Sequence, residues 1–363
     1  MKIFGAPCRY IQGNGVLDKM GDIVAPLGKR IFVFADEIVL NIVGKQVESF
    51  LKNPQNRVIV ERFGGECCES EIFRLGNKAK EMEAEVLIGL GGGKALDTAK
   101  AISARLHLSL VLVPTIAASD APTSQVAVIY DEKHAKTGAI KMTPTVVIVL
   151  VDTRIIGSAP VRFLIAGMGD AISTKFEAEA CWAANAVNAF GGMPFNATLY
   201  LGNLAYDIIR THGEAAITSV KKKEISLALE NVIEANILLS GLGWESGGVA
   251  AAHAIHGGFT VFEEMSRSLH GEKVGYGVLV QLFLERREKE FILDLVRFYK
   301  RIGLPTRIAD LAGGEFGTKK IEKAADIICQ EGSSIHKMPF PVNRKMVIEA
   351  IMDVETLGDM NKA

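Results

Sequence analysis

A surplus of charge of either sign, a long apolar run and a paired-cysteine pattern are all missing from this chain of 363 residues. Its 41 basic and 42 acidic residues leave a net charge of −1, so the basic surplus of a nucleic-acid binder is absent and no nucleic-acid partner is expected. The longest apolar run, TVVIVLV at 145–151, has the length of a strand and falls far short of a bilayer, so no membrane partner is expected either. The opening MKIFGAPCRY lacks the apolar core of a signal peptide, and no secretory leader is expected. Five cysteines are an odd count, Cys67 and Cys68 are adjacent and poorly placed to pair, and no Cys-x-x-Cys spacing occurs. These absences exclude a disulfide scaffold and a thiolate zinc site, and they favour a reducing cytoplasm.

What is present is the balance of a folded chain, 48% hydrophobic and 23% charged, long enough for two ordinary domains. The first 150 residues alternate short β-branched runs with amphipathic ones. RIFVFAD (30–36), RVIVERFG (57–64), AEVLIGLG (84–91) and LSLVLVPT (108–115) read as buried strands, each stopped by Gly, Pro or Asp. SEIFRLGNKAKEMEA (70–84) and KALDTAKAISARL (94–106) read as the helices between them, which predicts a parallel sheet covered on both faces. SQVAVIY (124–130) and PTVVIVLVD (144–152) are also strand-like, and the polar DEKHAKTGAIKM between them reads either as a loop or as part of a hairpin. Beyond about residue 160 helical spacing takes over, as in ISLALENVIEANILLSGL (225–242) and KEFILDLVRFYKRIGL (289–304). The expected division is an α/β domain over 1–160 and an all-helical domain over 161–363, with any ligand of the sheet beyond the carboxyl ends of its strands.

GLGGGKALDTAK (89–100) is strand, glycine turn and helix. Gly91, Gly92 and Gly93 let an anion approach free backbone N–H groups at a helix start, and Lys94 can add a point charge. The run is neither a P-loop, since Ala95 follows Gly-Lys, nor a G-x-G-x-x-G fingerprint, since Lys94 takes the last glycine position. Asp97 follows in the same turn-and-helix unit and is counted with it. Asp36, ending RIFVFAD, suits the two hydroxyls of an adenosine ribose and favours NAD over NADP, although a helix N-cap or turn is the commoner use of a lone aspartate. Thr115, Ser119 and Asp120, in the loop after the fourth run, read either as turn chemistry or as the lining of a nicotinamide and substrate site.

His253 and His256 stand three apart in GGVAAAHAIHGGF, and His270 opens HGEKVGYG. Satisfied structural histidines are the commoner reading of such a pair; the other is a metal site, in which Asp170 in GMGDAIS adds a carboxylate to imidazole donors suited to Zn(II) or Fe(II). Spacing alone does not bring Asp170 to the histidines, and the small residues around the pair hint at a crowded site.

GLGGGKALDTAK, TIAASDAP, AGMGDAIS, ESGGVAAAHAIHGG and LHGEKVGYG, in that order, resemble the glycerol dehydrogenase branch of the iron-containing alcohol dehydrogenase superfamily, from RYIQGNG near the start to SIHKMP near the end. The resemblance implies the dehydroquinate synthase-like architecture of a dinucleotide-binding α/β domain followed by a helical metal-binding domain. It also implies that Asp170, His253 and His270 are metal ligands, with His256 beside the site. Asp36, Gly93, Lys94, Thr115, Ala118, Ser124, Val126 and Tyr130 fall on positions that hold NAD, and Asp120 falls on a substrate-contacting aspartate. Thr174 stands where many iron-using relatives carry a further histidine, so three ligands with open positions look like catalytic zinc, ahead of iron. Lys175 replaces an aromatic of the family pattern.

The implied activity is reversible oxidation of glycerol or a related small vicinal diol or hydroxy compound to the ketone, with NAD as hydride acceptor, in a homo-oligomer. Asp120 would orient the diol and His256 would relay the proton. Rivals of the same fold are a glycerol-1-phosphate dehydrogenase and a sugar-phosphate cyclase, for which Lys175 and Lys273 are candidate phosphate contacts. A non-catalytic protein that binds NAD and metal is the rival of another class.

Overall fold

A computed structural model describes residues 1–132, 136–142 and 147–360. Positions 144–146 of the last expected strand and 133–135 of the polar stretch lie outside the described residues. The chain divides into two compact units: one comprises Ala6–Ala117 and Ala121–Ala159, the other Met1–Gly5, Ala118–Asp120 and Pro160–Ala363. The division is therefore not a single cut in sequence, because the three-residue segment carrying Asp120 counts with the helical unit.

The first unit is built on a six-stranded, wholly parallel sheet. Its strands are β1 (Arg9–Gly13), β2 (Arg30–Ala35), β3 (Arg57–Arg62), β4 (Val86–Gly91), β5 (Ser109–Pro114) and β8 (Val147–Asp152), in the order β1-β8-β5-β4-β2-β3. Strand alternation sends successive side chains to opposite faces, and each face has its own core. Ile31, Val33, Val86, Ile88, Val111 and Val113 enter one core, while Phe32, Phe34, Leu87, Leu110 and Leu112 enter the other. Full burial of each such side chain contributes about 1.5–3 kcal/mol. Double-sided burial explains why β2, β4 and β5 read as continuous apolar runs.

Within the polar stretch, Lys136–Lys141 forms one arm of a hairpin. β6 (Val126–Tyr130) pairs antiparallel with β7 (Lys136–Lys141) in a separate two-stranded sheet. β1 has no counterpart among the sequence-derived strands. RYIQG is an edge strand with no fully buried residue, so it carries no apolar run to find.

The second unit is helical. Its long elements are Val161–Ala183, Asn196–Lys222, His270–Leu284, Lys289–Ile302 and Arg344–Met360. The run expected as one helix over 225–242 is a continuous helical path through Leu227–Glu234, a π-type turn Ala235–Leu239, and Ser240–Gly247. No single helix among the described residues is long and apolar enough to cross a membrane.

Small residues set the close approaches in this unit. A Cβ on Gly271 would lie 1.9 Å from the Ala166 carbonyl oxygen, and one on Gly169 would lie 2.3 Å from the Gly271 carbonyl oxygen. Only glycine lets the helices Val161–Ala183 and His270–Leu284 touch backbone to backbone there. That contact carries Asp170 to His270.

Candidate functional site

In the α/β unit, Asp36, Gly91 and Thr115 sit at the carboxyl ends of three adjacent strands, Lys94 and Asp97 lie on the helix after β4, and Ser124, Val126 and Tyr130 lie in or beside β6. β4 pairs with β2 on one side and β5 on the other, so Asp36 after Ala35, Gly91 and Thr115 after Pro114 end up neighbours. Gly91 has φ +147°, and a Cβ there would meet the Ala95 Cβ at 2.9 Å. The helix Gly93–Leu106 starts after the N-cap Gly92, and no side chain caps it. Its first N–H groups and the positive end of its dipole therefore face the turn, an arrangement suited to a diphosphate. Thr115 N–H donates to the Gly91 carbonyl at 3.1 Å, tying the loop after β5 to the turn.

Asp36 has the structural role offered for it. Its Oδ1 accepts from Val39 N–H at 2.9 Å as the N-cap of a short helix, while Oδ2 lies 3.7 Å from where a Gly91 Cβ would stand. Lys94 is half-exposed; its Nζ pairs with Glu66 at 2.6 Å and lies 5.9 Å from the Tyr130 ring. Asp97 is buried, with Oδ1 2.9 Å from Lys100 Nζ and Oδ2 accepting from Val128 N–H at 3.1 Å. Lys100 also donates to the Val126 carbonyl, so these two residues clamp the hairpin to the helix. Its carboxylate thus has a structural occupation that sequence reasoning did not foresee. Ser124 closes the turn into β6, accepting from Val126 N–H at 3.1 Å. Ala118 belongs to the segment that counts with the helical unit.

In the helical unit, Asp170, His253 and His270 come together. One donor atom from each lies within 4.8 Å of the others. His270 Nε2 is 3.3 Å and His253 Nε2 is 3.8 Å from Asp170 Oδ1, an atom that is buried and accepts no hydrogen bond. A buried carboxylate oxygen without a donor is costly unless a cation serves it. The donor set of one oxygen and two imidazole nitrogens is that of a divalent transition metal such as zinc. Burial works against ionising Asp170, but His270 and His253 outweigh it and hold its carboxyl below the usual value. Burial alone would depress the His253 imidazole; Glu177, Asp170 and Asp120 reverse this and push it up to about 9.

The other ring nitrogens are held from behind. Glu177 Oε2 lies 2.6 Å from His253 Nδ1, and His256 Nε2 lies 3.1 Å from His270 Nδ1. A carboxylate only accepts, so His253 carries a proton on Nδ1, and a cation that displaced the proton on Nε2 would find that nitrogen's lone pair facing the centre. Glu177 was missed by sequence reasoning. Its signal is the seven-residue spacing from Asp170, two turns on the same helix face.

Asp120 joins this group from the loop after β5. Its backbone N–H donates to Asp170 Oδ2 at 3.3 Å, and its own Oδ2 accepts from the Ser240 hydroxyl at 3.1 Å. Burial, then the charge of Asp170, push its carboxyl well above the usual carboxylate range. Thr174 is buried with its hydroxyl 3.2 Å from that of Ser240. Ser240 stands directly after the π-type turn, which shifts the helix register and aims it at Asp120. The two lysines proposed as phosphate contacts are otherwise engaged. Lys175 pairs with Glu179 at 2.8 Å and with Asn203, while buried Lys273 donates to the Met265 and Ser268 carbonyls.

Comparison with known proteins gives the family. Residues 7–151 match the family described as iron-containing alcohol dehydrogenase. A glycerol dehydrogenase from Thermotoga maritima is 42% identical over 98% of this chain and 97% of its own length. One from Citrobacter freundii is 41% identical over 99% of this chain and 98% of its own. The crystal structure of a probable glycerol dehydrogenase from Sinorhizobium meliloti superposes with a TM-score of 0.92 at 38% identity, covering 99% of this chain and 100% of that one. Identity sustained over the whole chain, with the fold and the Asp-His-His cluster in place, makes this protein a member of the iron-containing alcohol dehydrogenase family, an alcohol dehydrogenase of its glycerol dehydrogenase branch.

Proposed function

We propose that the protein reversibly oxidises glycerol, or a closely related small vicinal diol, to the hydroxyketone with NAD, using a divalent cation, zinc ahead of iron(II), held by Asp170, His253 and His270. The observation that carries this reading is the convergence of the two Nε2 atoms on Asp170 Oδ1, a buried oxygen that accepts no hydrogen bond. When bound, the cation supplies Lewis acidity that lowers the pKa of an alcohol hydroxyl, and NAD supplies the hydride acceptor.

The chain's own residues do the rest. Asp120, fixed by Ser240 and by its backbone N–H to Asp170, hydrogen-bonds a substrate hydroxyl and orients the diol. His256 takes the released proton, a role supported by the 3.1 Å contact of its Nε2 with His270 Nδ1. Gly91–Gly93 and the uncapped helix start seat the diphosphate of NAD, and Asp36 takes the ribose hydroxyls. With Thr174 hydrogen-bonded to Ser240, the ligand set keeps three protein donors and open positions, which suits zinc.

The rival phosphate-handling activities need a basic cluster at the substrate, and the engagement of Lys175 and Lys273 speaks against them. By resemblance the enzyme is a cytoplasmic homo-oligomer, in keeping with five free cysteines. The test assays NADH formation with glycerol, propane-1,2-diol and glycerol 1-phosphate, before and after chelation and metal replacement. The reading requires turnover of an unphosphorylated diol that disappears on chelation and returns with zinc. Full activity without metal, or turnover of the phosphate ester alone, overturns it.

A further inference from the structure

Glu177 is one of the most completely engaged carboxylates in the helical unit, and 1% of it is exposed. Its Oε1 accepts two backbone N–H groups, from Ala250 at 2.8 Å and from His253 at 2.9 Å. Its Oε2 accepts from His253 Nδ1 at 2.6 Å. The two N–H groups belong to the start of the helix Ala251–Phe259, whose own N-cap residue, Ala250, has no side chain able to cap it. One carboxylate therefore does two things at once. It closes the open end of the helix that bears His253 and His256, and it fixes the ring of the first histidine.

The position of this carboxylate is as constrained as its bonds. Asp170 and Glu177 are seven residues apart on the helix Val161–Ala183, so a metal-ligand candidate and the group behind another ligand share one rigid face. The backbone that presents His253 and the ring of His253 are both registered to that same face. His270 is treated differently: its Nδ1 lies 3.1 Å from His256 Nε2, and among the described residues the carboxylate at its ring nitrogens is that of Asp170.

We propose that Glu177 is the positioning residue of the metal centre, setting both the tautomer of His253 and the placement of its helix so that Nε2 is presented to the cation. This rests on the reading of Asp170, His253 and His270 as metal ligands. The chemistry makes the residue hard to replace. All three of its partners are donors, so a glutamine of the same shape turns an N–H₂ group toward at least one of them. Either the helix start or the imidazole then loses its acceptor. An orienting partner of this kind is worth about 10–100-fold in metal affinity.

The experiment measures Co(II) and Zn(II) affinity by competition with a chelator for the full-length wild type and Glu177→Gln, together with the visible spectrum of the Co(II) forms. The expected result is about a 10–100-fold loss of affinity in E177Q and a shifted Co(II) spectrum, the latter a change that a general loss of stability does not produce. Equal affinity and an unchanged spectrum overturn the proposal. Should E177Q not fold, histidine-selective nitrogen NMR of zinc-loaded wild type decides instead. The proposal requires a proton on His253 Nδ1 and zinc on Nε2; ligation through Nδ1, or an unprotonated Nδ1, overturns it. Wild type that binds neither metal at these residues removes the metal reading itself, and this inference with it, whereas metal binding indifferent to Glu177 removes the inference alone.

Discussion

Asp97 and Lys100, three residues apart on the helix after the glycine turn, form an ion pair of 2.9 Å in which the lysine has no exposed surface. Each also holds the hairpin: Asp97 accepts from Val128 N–H and Lys100 donates to the Val126 carbonyl. A buried pair of this kind is expensive to break from one side, because the remaining charge is stranded. Lys100→Met is expected to lose about 3–5 kcal/mol in urea unfolding, and Asp97→Leu with Lys100→Met to recover much of it. A single variant as stable as the wild type would show that the pair contributes nothing.

The three glycines of the turn are expected to separate into structural and ligand-facing positions. An alanine at 91 faces φ +147° and the Ala95 Cβ at 2.9 Å, so Gly91→Ala should cost more than about 1 kcal/mol of stability. At Gly93 the nearest atom to an added Cβ is the Ala121 Cβ, at 3.6 Å, which is ordinary contact. Gly93→Ala should stay within about 0.5 kcal/mol of wild type in stability. It should still lose about tenfold or more in NAD affinity, ~1.4 kcal/mol, because the methyl group occupies the diphosphate's approach. Calorimetric titration with NAD beside thermal unfolding checks both; unchanged NAD affinity in Gly93→Ala would mean that the turn holds no diphosphate.

Lys273 ties stability to pH. Burial lowers its pKa from 10.5 to about 8, with Glu272 opposing. Between those values the unfolded chain keeps a proton that the folded chain has released, so this residue makes stability rise with pH across that window, by up to about 3 kcal/mol. Below about pH 8 both states are protonated and its contribution is flat. Cys67 and Cys181, pushed up to about 12 by burial, act in the opposite sense at higher pH, so the informative quantity is a difference between two proteins. The stability of wild type minus that of Lys273→Met should increase from pH 8 to 10.5 in chemical unfolding. A difference that stays level would contradict the shift.

Most of the α/β unit was legible because its central strands are buried on both faces, which leaves apolar runs bounded by Gly, Pro and Asp. Where that signal is missing, so was the element. β1 is a polar edge strand, and β7, KTGAIK, is recognisable as a strand only once β6 is there to pair with it. The π-type turn at Ala235–Leu239 leaves helical spacing almost intact and so does not announce itself, although it decides where Ser240 points. The metal-ligand candidates were legible as residue types, and the family resemblance grouped them. Spacing could not, because Asp170 reaches the histidines through a glycine contact between two distant helices. Glu177 and Lys100 were invisible for a different reason: a charged residue on a helix usually reads as a solvated face, and only packing shows that both are buried.

The central claim is the three-ligand centre, and anomalous diffraction from crystals of the zinc-loaded protein tests it most directly. The account predicts one strong anomalous peak bonded to an Asp170 carboxylate oxygen and to Nε2 of His253 and of His270, with Glu177 still on His253 Nδ1. A peak bound elsewhere, or no peak while these three side chains remain together, would contradict it.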